Sequence, residues 1–138
     1  MPRPSVLIVD DNARLLRGLT RLLGDEFHVV TAVSAAEAAA ILADQCFDVI
    51  LADHQMPGTL GMRLLANAKR DYPNVVPILM SGEFTPAVRQ VAQHEIGVCR
   101  LLEKPFRSVQ VVEAIYAALA MSKTSDEPTE DDLMYGSL

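Results

Sequence analysis

Short apolar runs alternate with longer segments of helical period along most of this chain. Five runs rich in valine and isoleucine predict strands, and each is followed by a stretch with the spacing of an amphipathic helix. The predicted strands are Ser5–Val9, His28–Ala32, Asp48–Ala52, Val76–Met80 and Val98–Leu102. This alternation is typical of βα units, and near-unbroken hydrophobicity in the first and third strands indicates burial on both faces. We therefore expect an α/β fold with a doubly wound, five-stranded parallel sheet.

Capping and helix-stop signals divide the intervening segments into five helices. A leucine stripe that ends at Gly24 marks the first, while the third and fourth cover about residues 60–70 and 86–93. Hydroxyl side chains before the second, fourth and fifth helices are the expected N-caps: Ser34, Thr85 and Ser108. The predicted core face of the fifth helix consists of Val112, Ile115, Tyr116 and Leu119.

The composition fits one globular domain followed by an acidic tail. The chain has 138 residues, half of them apolar, and a formal net charge of −6. Residues 121–138 hold five acidic residues and one lysine, and they contain too little apolar surface to offset the entropy of ordering. We therefore expect a domain over residues 1–120 and a disordered acidic tail over residues 121–138.

Charge and hydropathy narrow the classes of partner and compartment. An acidic chain without a basic stripe argues against direct contact with nucleic acid. No apolar run reaches the length of a bilayer span, and the N-terminus lacks the core of a signal peptide. We expect a cytoplasmic protein with no membrane partner.

Neither the cysteines nor the histidines have the spacing of a metal or catalytic site. Cys46 and Cys99 lie beside or within apolar segments, so both are expected to be buried, unreactive thiols. The three histidines are scattered, and we expect surface or strand positions for them: His28, His54 and His94.

Polar side chains follow four of the predicted strands, at the point where each strand ends. They are Asp10 with Asp11, Asp53, Ser81 and Lys104. In a doubly wound sheet the carboxyl ends of the strands meet at a ligand crevice, so the three aspartates should converge. Converging carboxylates repel one another unless a cation holds them, and hard oxygen ligands favour Mg²⁺.

This combination of groups suits phosphoryl transfer. Asp53 can attack phosphorus as a nucleophile, because a metal ion and the Lys104 ammonium would neutralise the charge on the phosphoryl oxygens. Ser81 can donate its hydroxyl to one of those oxygens. Each residue taken alone also fits an ordinary turn or helix start. Their joint placement at strand ends favours a phosphoryl-accepting site.

Residues 5–120 resemble the receiver domain of two-component response regulators. The matching motifs are Val6 to Asn12, Asp48 to Gly58, Ile78 to Gly82 and Lys104 to Phe106. The resemblance implies a flavodoxin-like (βα)5 fold with strand order 2-1-3-4-5. It also implies that Asp53 takes a phosphoryl group from a phosphohistidine on a sensor histidine kinase or a histidine phosphotransfer protein.

The resemblance also implies a role for each site residue. Asp11 would bind Mg²⁺ directly and Asp10 mainly through water, with Asp53 and the backbone carbonyl of Gln55 as further ligands. Ser81 would swing toward the phosphoryl group, and Lys104 would pair with it. The chain would then not be an enzyme, and its only chemistry would be self-catalysed phosphoryl transfer and autodephosphorylation. Activation would change the face of the fourth helix, fifth strand and fifth helix, for a downstream protein target or a homodimer.

Two positions depart from the family pattern and keep other functions open. Leu101 stands where such domains usually carry the tyrosine or phenylalanine of the switch, and Thr59-Leu60-Gly61 lacks the usual acid. Leu101 and the acidic tail leave open a binding module that works without phosphorylation. A phosphate sink, which drains a kinase without an effector, is a further alternative. A phosphatase of haloacid-dehalogenase type is a more distant one, because Gln55 occupies the place of its general acid.

Overall fold

Five parallel strands form the central sheet of the protein. The computed structural model describes residues 3–126, with side chains as far as residue 121. The strands are β1 Ser5–Val9, β2 His28–Ala32, β3 Val49–Asp53, β4 Val76–Ser81 and β5 Arg100–Glu103. They are hydrogen-bonded in the order β2-β1-β3-β4-β5, and every pairing is parallel. The predicted doubly wound sheet and its strand order are confirmed.

Helices cover both faces of this sheet. They are α1 Ala13–Leu23, α2 Ala35–Asp44, α3 Gly61–Asp71, α4 Pro86–Gln90 and α5 Ser108–Asp126. A π-helical segment, Val91–Ile96, continues α4 and ends at Gly97, whose φ is +79°. Within residues 3–126, no helix has the length and hydropathy that crossing a bilayer requires.

The apolar side chains form two cores, one on each face of the sheet. The α1–α5 core contains Leu16, Leu19 and Leu23 of α1 together with four residues of α5, namely Val111, Ala114, Ile115 and Ala118. The α2–α4 core contains residues of α2, α3 and the π-helical segment, and it packs against the opposite face. Alternate residues of β1, β3 and β4 enter the two cores, so these strands are buried on both sides.

Two of the three predicted N-caps are confirmed and one is wrong. The hydroxyl oxygen of Ser34 accepts the Glu37 N–H at 3.1 Å, and that of Thr85 accepts the Val88 N–H at 3.2 Å. Ser108 is instead the first residue of α5, and the Arg107 N–H donates to Oε1 of Gln110 at 2.6 Å. The glutamine side chain reaches back to the helix start and replaces the expected serine cap.

Helix α5 also differs from prediction in its core face and its end. Tyr116 is 47% exposed, while the fully buried positions are Val111, Ala114, Ile115 and Ala118. The helix continues through residues 121–126, which the composition places in the disordered tail. Extending an existing helix costs far less than starting one, so polar residues can add turns to α5. The rest of the predicted tail, residues 127–138, lies outside the described residues.

A short antiparallel hairpin follows β3 and was not predicted. Gln55–Met56 pairs with Thr59–Leu60, and Pro57 and Gly58 form the turn between them. Gly58 has a φ of +87°, which the third position of a type II turn requires and which L side chains rarely adopt. The hairpin delays the start of α3 until Gly61 and places Gln55 two residues after the end of β3.

Candidate functional site

The register of β1 and β3 brings the predicted aspartates together. Val9 pairs with Ala52, so Asp10 and Asp11 leave β1 beside the last residue of β3, Asp53. One carboxylate oxygen from each aspartate lies within 4.8 Å of the others. Asp10 and Asp53 are buried, whereas Asp11 is exposed. The cluster therefore has two buried acids and one open to solvent.

Lys104 reaches this cluster from the end of β5. Its backbone N–H donates to the Ser81 carbonyl oxygen at 2.8 Å, which fixes the chain as it leaves the sheet. Its ammonium nitrogen lies 2.7 Å from Oδ2 of Asp10 and 3.4 Å from Oδ1 of Asp53. A single cation thus pairs with both buried carboxylates.

Burial and neighbouring charges shift the ionisation of Asp53 and Lys104. Burial, followed by repulsion from Asp10, raises the pKa of Asp53, although Lys104 and the Gln55 N–H oppose the change. Burial alone would lower the pKa of Lys104, but hydrogen bonding and attraction to the two carboxylates outweigh it and raise that pKa. The lysine is held charged, while the ionised form of Asp53 is disfavoured relative to water.

The donor set around Asp53 fits a divalent cation. Three carboxylates face one lysine, so the cluster keeps net negative charge after the ion pairs are formed. Carboxylate oxygens are hard ligands of the kind that Mg²⁺ binds, and the exposure of Asp11 gives solvent access to the cluster. Asp10 also accepts the Asn12 N–H at 2.9 Å through Oδ1, which orients its carboxylate.

Ser81 lies at the adjacent strand end, but its hydroxyl is bonded to the following loop. Ser81 is fully buried, and Met80 before it pairs with Asp53 in register. Its Oγ donates to the Glu83 carbonyl oxygen at 2.9 Å and accepts the Glu83 N–H at 3.2 Å. The sequence does not single out Glu83, because a local bond of this kind depends on loop geometry rather than on residue type.

The hairpin and the start of α3 pack tightly against the end of β3. The Gly61 N–H donates to the His54 carbonyl oxygen at 2.9 Å. A Cβ at Gly61 would lie 2.0 Å from the carbonyl oxygen of Asp53, so only glycine fits there. The backbone of Gln55 acts to lower the pKa of Asp53, and ligation of a metal by the Gln55 carbonyl stays a prediction.

Two apolar residues near Ser81 occupy the same core. Leu101, at the predicted switch position, is half-buried and packs against the α2–α4 core, as does Phe84 of the loop after Ser81. The guanidinium carbon of Arg89 lies 5.4 Å from the centroid of the Phe84 ring. The sequence pattern does not identify Phe84 or Arg89, because a lone aromatic residue in a loop has no periodicity.

The predictions for a histidine and for the cysteines need correction. His54 follows Asp53 and is only 8% exposed, and its Nδ1 has no hydrogen-bond partner among the described residues. Cys46, expected to be buried, is exposed, and it lies in the connection between the end of α2 and the buried Phe47. Cys99 is half-buried, and burial raises the pKa of its thiol.

Comparison with known families covers most of the chain. Residues 6–116 match the model of the response regulator receiver domain. The hydrogenase transcriptional regulatory protein HoxA of Cupriavidus necator is 35% identical over 116 residues, which cover 83% of this chain and 24% of HoxA. NtrC of Escherichia coli, a DNA-binding transcriptional regulator, is 29% identical over 93% of this chain and 27% of its own length. The chain spans about a quarter of the length of these curated relatives.

A solved structure agrees over nearly the whole chain. The signal receiver domain of an HD domain-containing protein from Pseudomonas fluorescens Pf-5 superposes with a TM-score of 0.85. It shares 27% sequence identity, and the match covers 92% of this chain and 94% of that one.

Proposed function

Because the chain belongs to the family of response regulator receiver domains, we propose that Asp53 accepts a phosphoryl group and thereby switches a protein-interaction surface. The observation that carries this proposal is the position of the Lys104 ammonium, 2.7 Å from Asp10 and 3.4 Å from Asp53. A fixed cation beside a buried carboxylate suits an acceptor whose product carries added negative charge, and the two further acids can supply ligands for a metal ion that offsets their repulsion.

The proposed donor is a phosphohistidine on a sensor histidine kinase or a histidine phosphotransfer protein. A carboxylate oxygen of Asp53 forms the new O–P bond while the N–P bond of the phosphohistidine breaks, and the imidazole nitrogen keeps the electron pair of that bond. Lys104 stabilises the charge on the phosphoryl oxygens. Ser81 would leave Glu83 and donate its hydroxyl to one of these oxygens.

Asp10, Asp11, Asp53 and the carbonyl oxygen of Gln55 are the proposed ligands of Mg²⁺. When bound, the ion supplies positive charge beside the acceptor and offsets the repulsion among the carboxylates. Asp10 is oriented by Asn12 and Lys104, so it needs little rearrangement to face a cation. Asp11 is exposed and can exchange water for the ion.

The proposed output is a contact with another protein through the face of α4, β5 and α5. We place this signalling in the cytoplasm, with homodimerisation on activation as one form of the contact. The transcriptional roles in the names of HoxA and NtrC belong to those proteins, of which this chain matches about a quarter. No catalytic turnover is proposed beyond loss of the phosphoryl group from Asp53 itself.

Acetyl phosphate, a small phosphoryl donor, tests the proposal. Folded wild-type protein should take up one phosphoryl group in the presence of Mg²⁺ and none after chelation, and Asp53→Ala should take up none. Asp44→Ala, at an exposed position at the end of α2, is the matched control and should behave as wild type. Failure of the wild type to take up label from acetyl phosphate and from a phosphohistidine donor would overturn the proposal.

The same preparations separate the alternatives. Steady release of phosphate from a phosphomonoester would indicate a phosphatase. Affinity for a captured partner that does not change on phosphorylation would indicate a binding module. Rapid loss of label without any partner would indicate a phosphate sink.

A further inference from the structure

The loop after β4 is held by the residue that is proposed to move on phosphorylation. Both hydrogen bonds of the Ser81 hydroxyl go to the backbone of Glu83, at 2.9 Å and 3.2 Å. A hydroxyl that donates to a phosphoryl oxygen on Asp53 cannot also donate to the Glu83 carbonyl, because it has one proton. Movement of Ser81 therefore breaks this bond to the Glu83 carbonyl, and Glu83 itself lies on an exposed part of the loop.

Phe84 follows directly, and its ring is held between a core and a cation. One side of the residue packs against the α2–α4 core, together with Val88 and Leu101. The guanidinium of Arg89 lies over the ring at 5.4 Å from its centroid. Such a contact at an exposed arginine is weak, so it can be exchanged for deeper burial of the ring.

Leu101 lies on β5 in register with Leu79 and packs against the α2–α4 core. A larger side chain at this position would compete with Phe84 for contact with that core. Phe84 already lies on the same core, supplied by the loop rather than by the strand. Helix α4 starts two residues after Phe84 and passes into a π-helical segment, a departure from regular α-helix that is frequent at functional sites.

We propose that Phe84 is the aromatic switch of this chain. When Ser81 turns to the phosphoryl group, Glu83 is released, and the Phe84 ring leaves Arg89 and moves deeper into the α2–α4 core toward Leu101. The surface of α4 then changes at Arg89, which loses its aromatic partner. This inference rests on the proposed phosphorylation of Asp53 and extends it to the route by which the signal leaves the site.

Fluorine NMR of protein labelled with 4-fluorophenylalanine tests this switch. The chain has four phenylalanines, and Phe84→Leu identifies the resonance of Phe84. Beryllofluoride with Mg²⁺, a stand-in for the phosphoryl group, should shift the Phe84 resonance and leave those of Phe27 and Phe47 unchanged. Both reference rings are buried at the opposite end of the sheet. Bound beryllofluoride gives its own fluorine signal, so binding is read in the same spectrum.

Two variants show whether the proposed route is used. Ser81→Ala removes the hydroxyl that is proposed to move and one donor to the bound group, so beryllofluoride should bind more weakly, and the protein that does show the bound signal should show no Phe84 shift. Leu101→Phe should compete with Phe84 for contact with the α2–α4 core and reduce the Phe84 shift by at least half. This variant tests the route independently of Ser81→Ala, because it leaves the Ser81 hydroxyl in place. Arg89→Ala should move the Phe84 resonance in the free protein and lessen the further change on binding.

The outcomes for the two proposals are distinct. Absence of bound beryllofluoride in folded wild type would contradict the acceptor function itself. Bound beryllofluoride with an unchanged Phe84 resonance would overturn the switch alone. A full Phe84 shift in Ser81→Ala or Leu101→Phe would do the same.

Discussion

The ammonium nitrogen of Lys104 lies 2.7 Å from Oδ2 of Asp10, closer than its 3.4 Å distance from Oδ1 of Asp53. In this state the lysine is therefore held mainly by a neighbour of the proposed acceptor. That arrangement keeps the cation in the site, with its shorter contact to Asp10 and its longer one to the proposed acceptor. It also makes the stability of the site depend on the charge balance among three side chains.

Lys104→Met should destabilise the protein at pH 7 by about 1–3 kcal/mol, because two buried carboxylates lose their cation. The pKa of Asp53 is raised in the folded protein, so the ionised carboxylate lowers the free energy of unfolding at pH values above that pKa. This loss of stability disappears as the pH falls through the pKa and Asp53 is protonated. Without Lys104 the ionised Asp53 lowers the free energy of unfolding further. The difference in this free energy between Lys104→Met and wild type should therefore shrink toward pH 4. Chemical denaturation at several pH values measures this. Equal destabilisation of Lys104→Met at pH 4 and pH 7 would contradict the charge argument. The control is Arg100→Met, which removes an exposed cation from β5 and should change the stability little.

Asp53→Asn should raise the melting temperature at pH 7 in the absence of Mg²⁺. Burial and the nearby Asp10 charge disfavour the ionised form of Asp53, and asparagine removes that charge. We expect an increase of roughly 2–4 °C, which corresponds to about 1 kcal/mol in a domain of this size. Mg²⁺ should stabilise wild type, and Asp53→Asn should respond much less. A melting temperature that falls on substitution would show that the ionised Asp53 is stabilising.

Gly61→Ala should destabilise the protein by about 1–3 kcal/mol and impair phosphorylation. The added Cβ would meet the carbonyl oxygen of Asp53 at 2.0 Å, so the backbone at the end of β3 must move. Gly18→Ala is the matched control, because a Cβ at that position in the interior of α1 would have no neighbour within 4 Å. That change should stabilise by about 0.5–1 kcal/mol. If Gly61→Ala is as stable as wild type and is phosphorylated as readily, the close packing at the end of β3 is contradicted.

The two thiols should react at different rates with a disulfide reagent at neutral pH. Cys46 is exposed, while burial raises the pKa of Cys99 and reduces its thiolate fraction. Titration of folded protein should therefore show one fast and one slow thiol, and Cys46→Ser should remove the fast one. If Cys46→Ser instead loses the slowly reacting thiol, the assignment of the fast reaction to Cys46 and the slow one to Cys99 is wrong.

The sheet and the site residues at its end could be predicted from sequence because each depends on one apolar run. Parallel strands end at the same edge, so Asp10, Asp53 and Lys104 had to converge once the strands were identified. The hairpin could not be predicted in this way, because four residues around Pro57 and Gly58 are too few to show a period. The sequence pattern accordingly places Leu60 in the third helix.

The remaining differences from prediction have specific physical causes. The cap of α5 depends on whether a glutamine side chain reaches back to Arg107, which the sequence leaves open. The exposure of Cys46 depends on the direction of the chain between α2 and β3. The bonds of Ser81 to Glu83 depend on loop geometry, yet they determine how the site communicates with Phe84.

The central claim is that Asp53 itself carries the phosphoryl group, and reduction of the acyl phosphate tests it most directly. Borohydride delivers hydride to the acyl carbon, releases phosphate and converts a phosphorylated aspartate to homoserine. After incubation with acetyl phosphate and Mg²⁺, peptide mapping should find homoserine at position 53 and only there, and chelation should abolish it. Homoserine at position 10 or 11, or none in folded protein that has bound the label, would contradict the account.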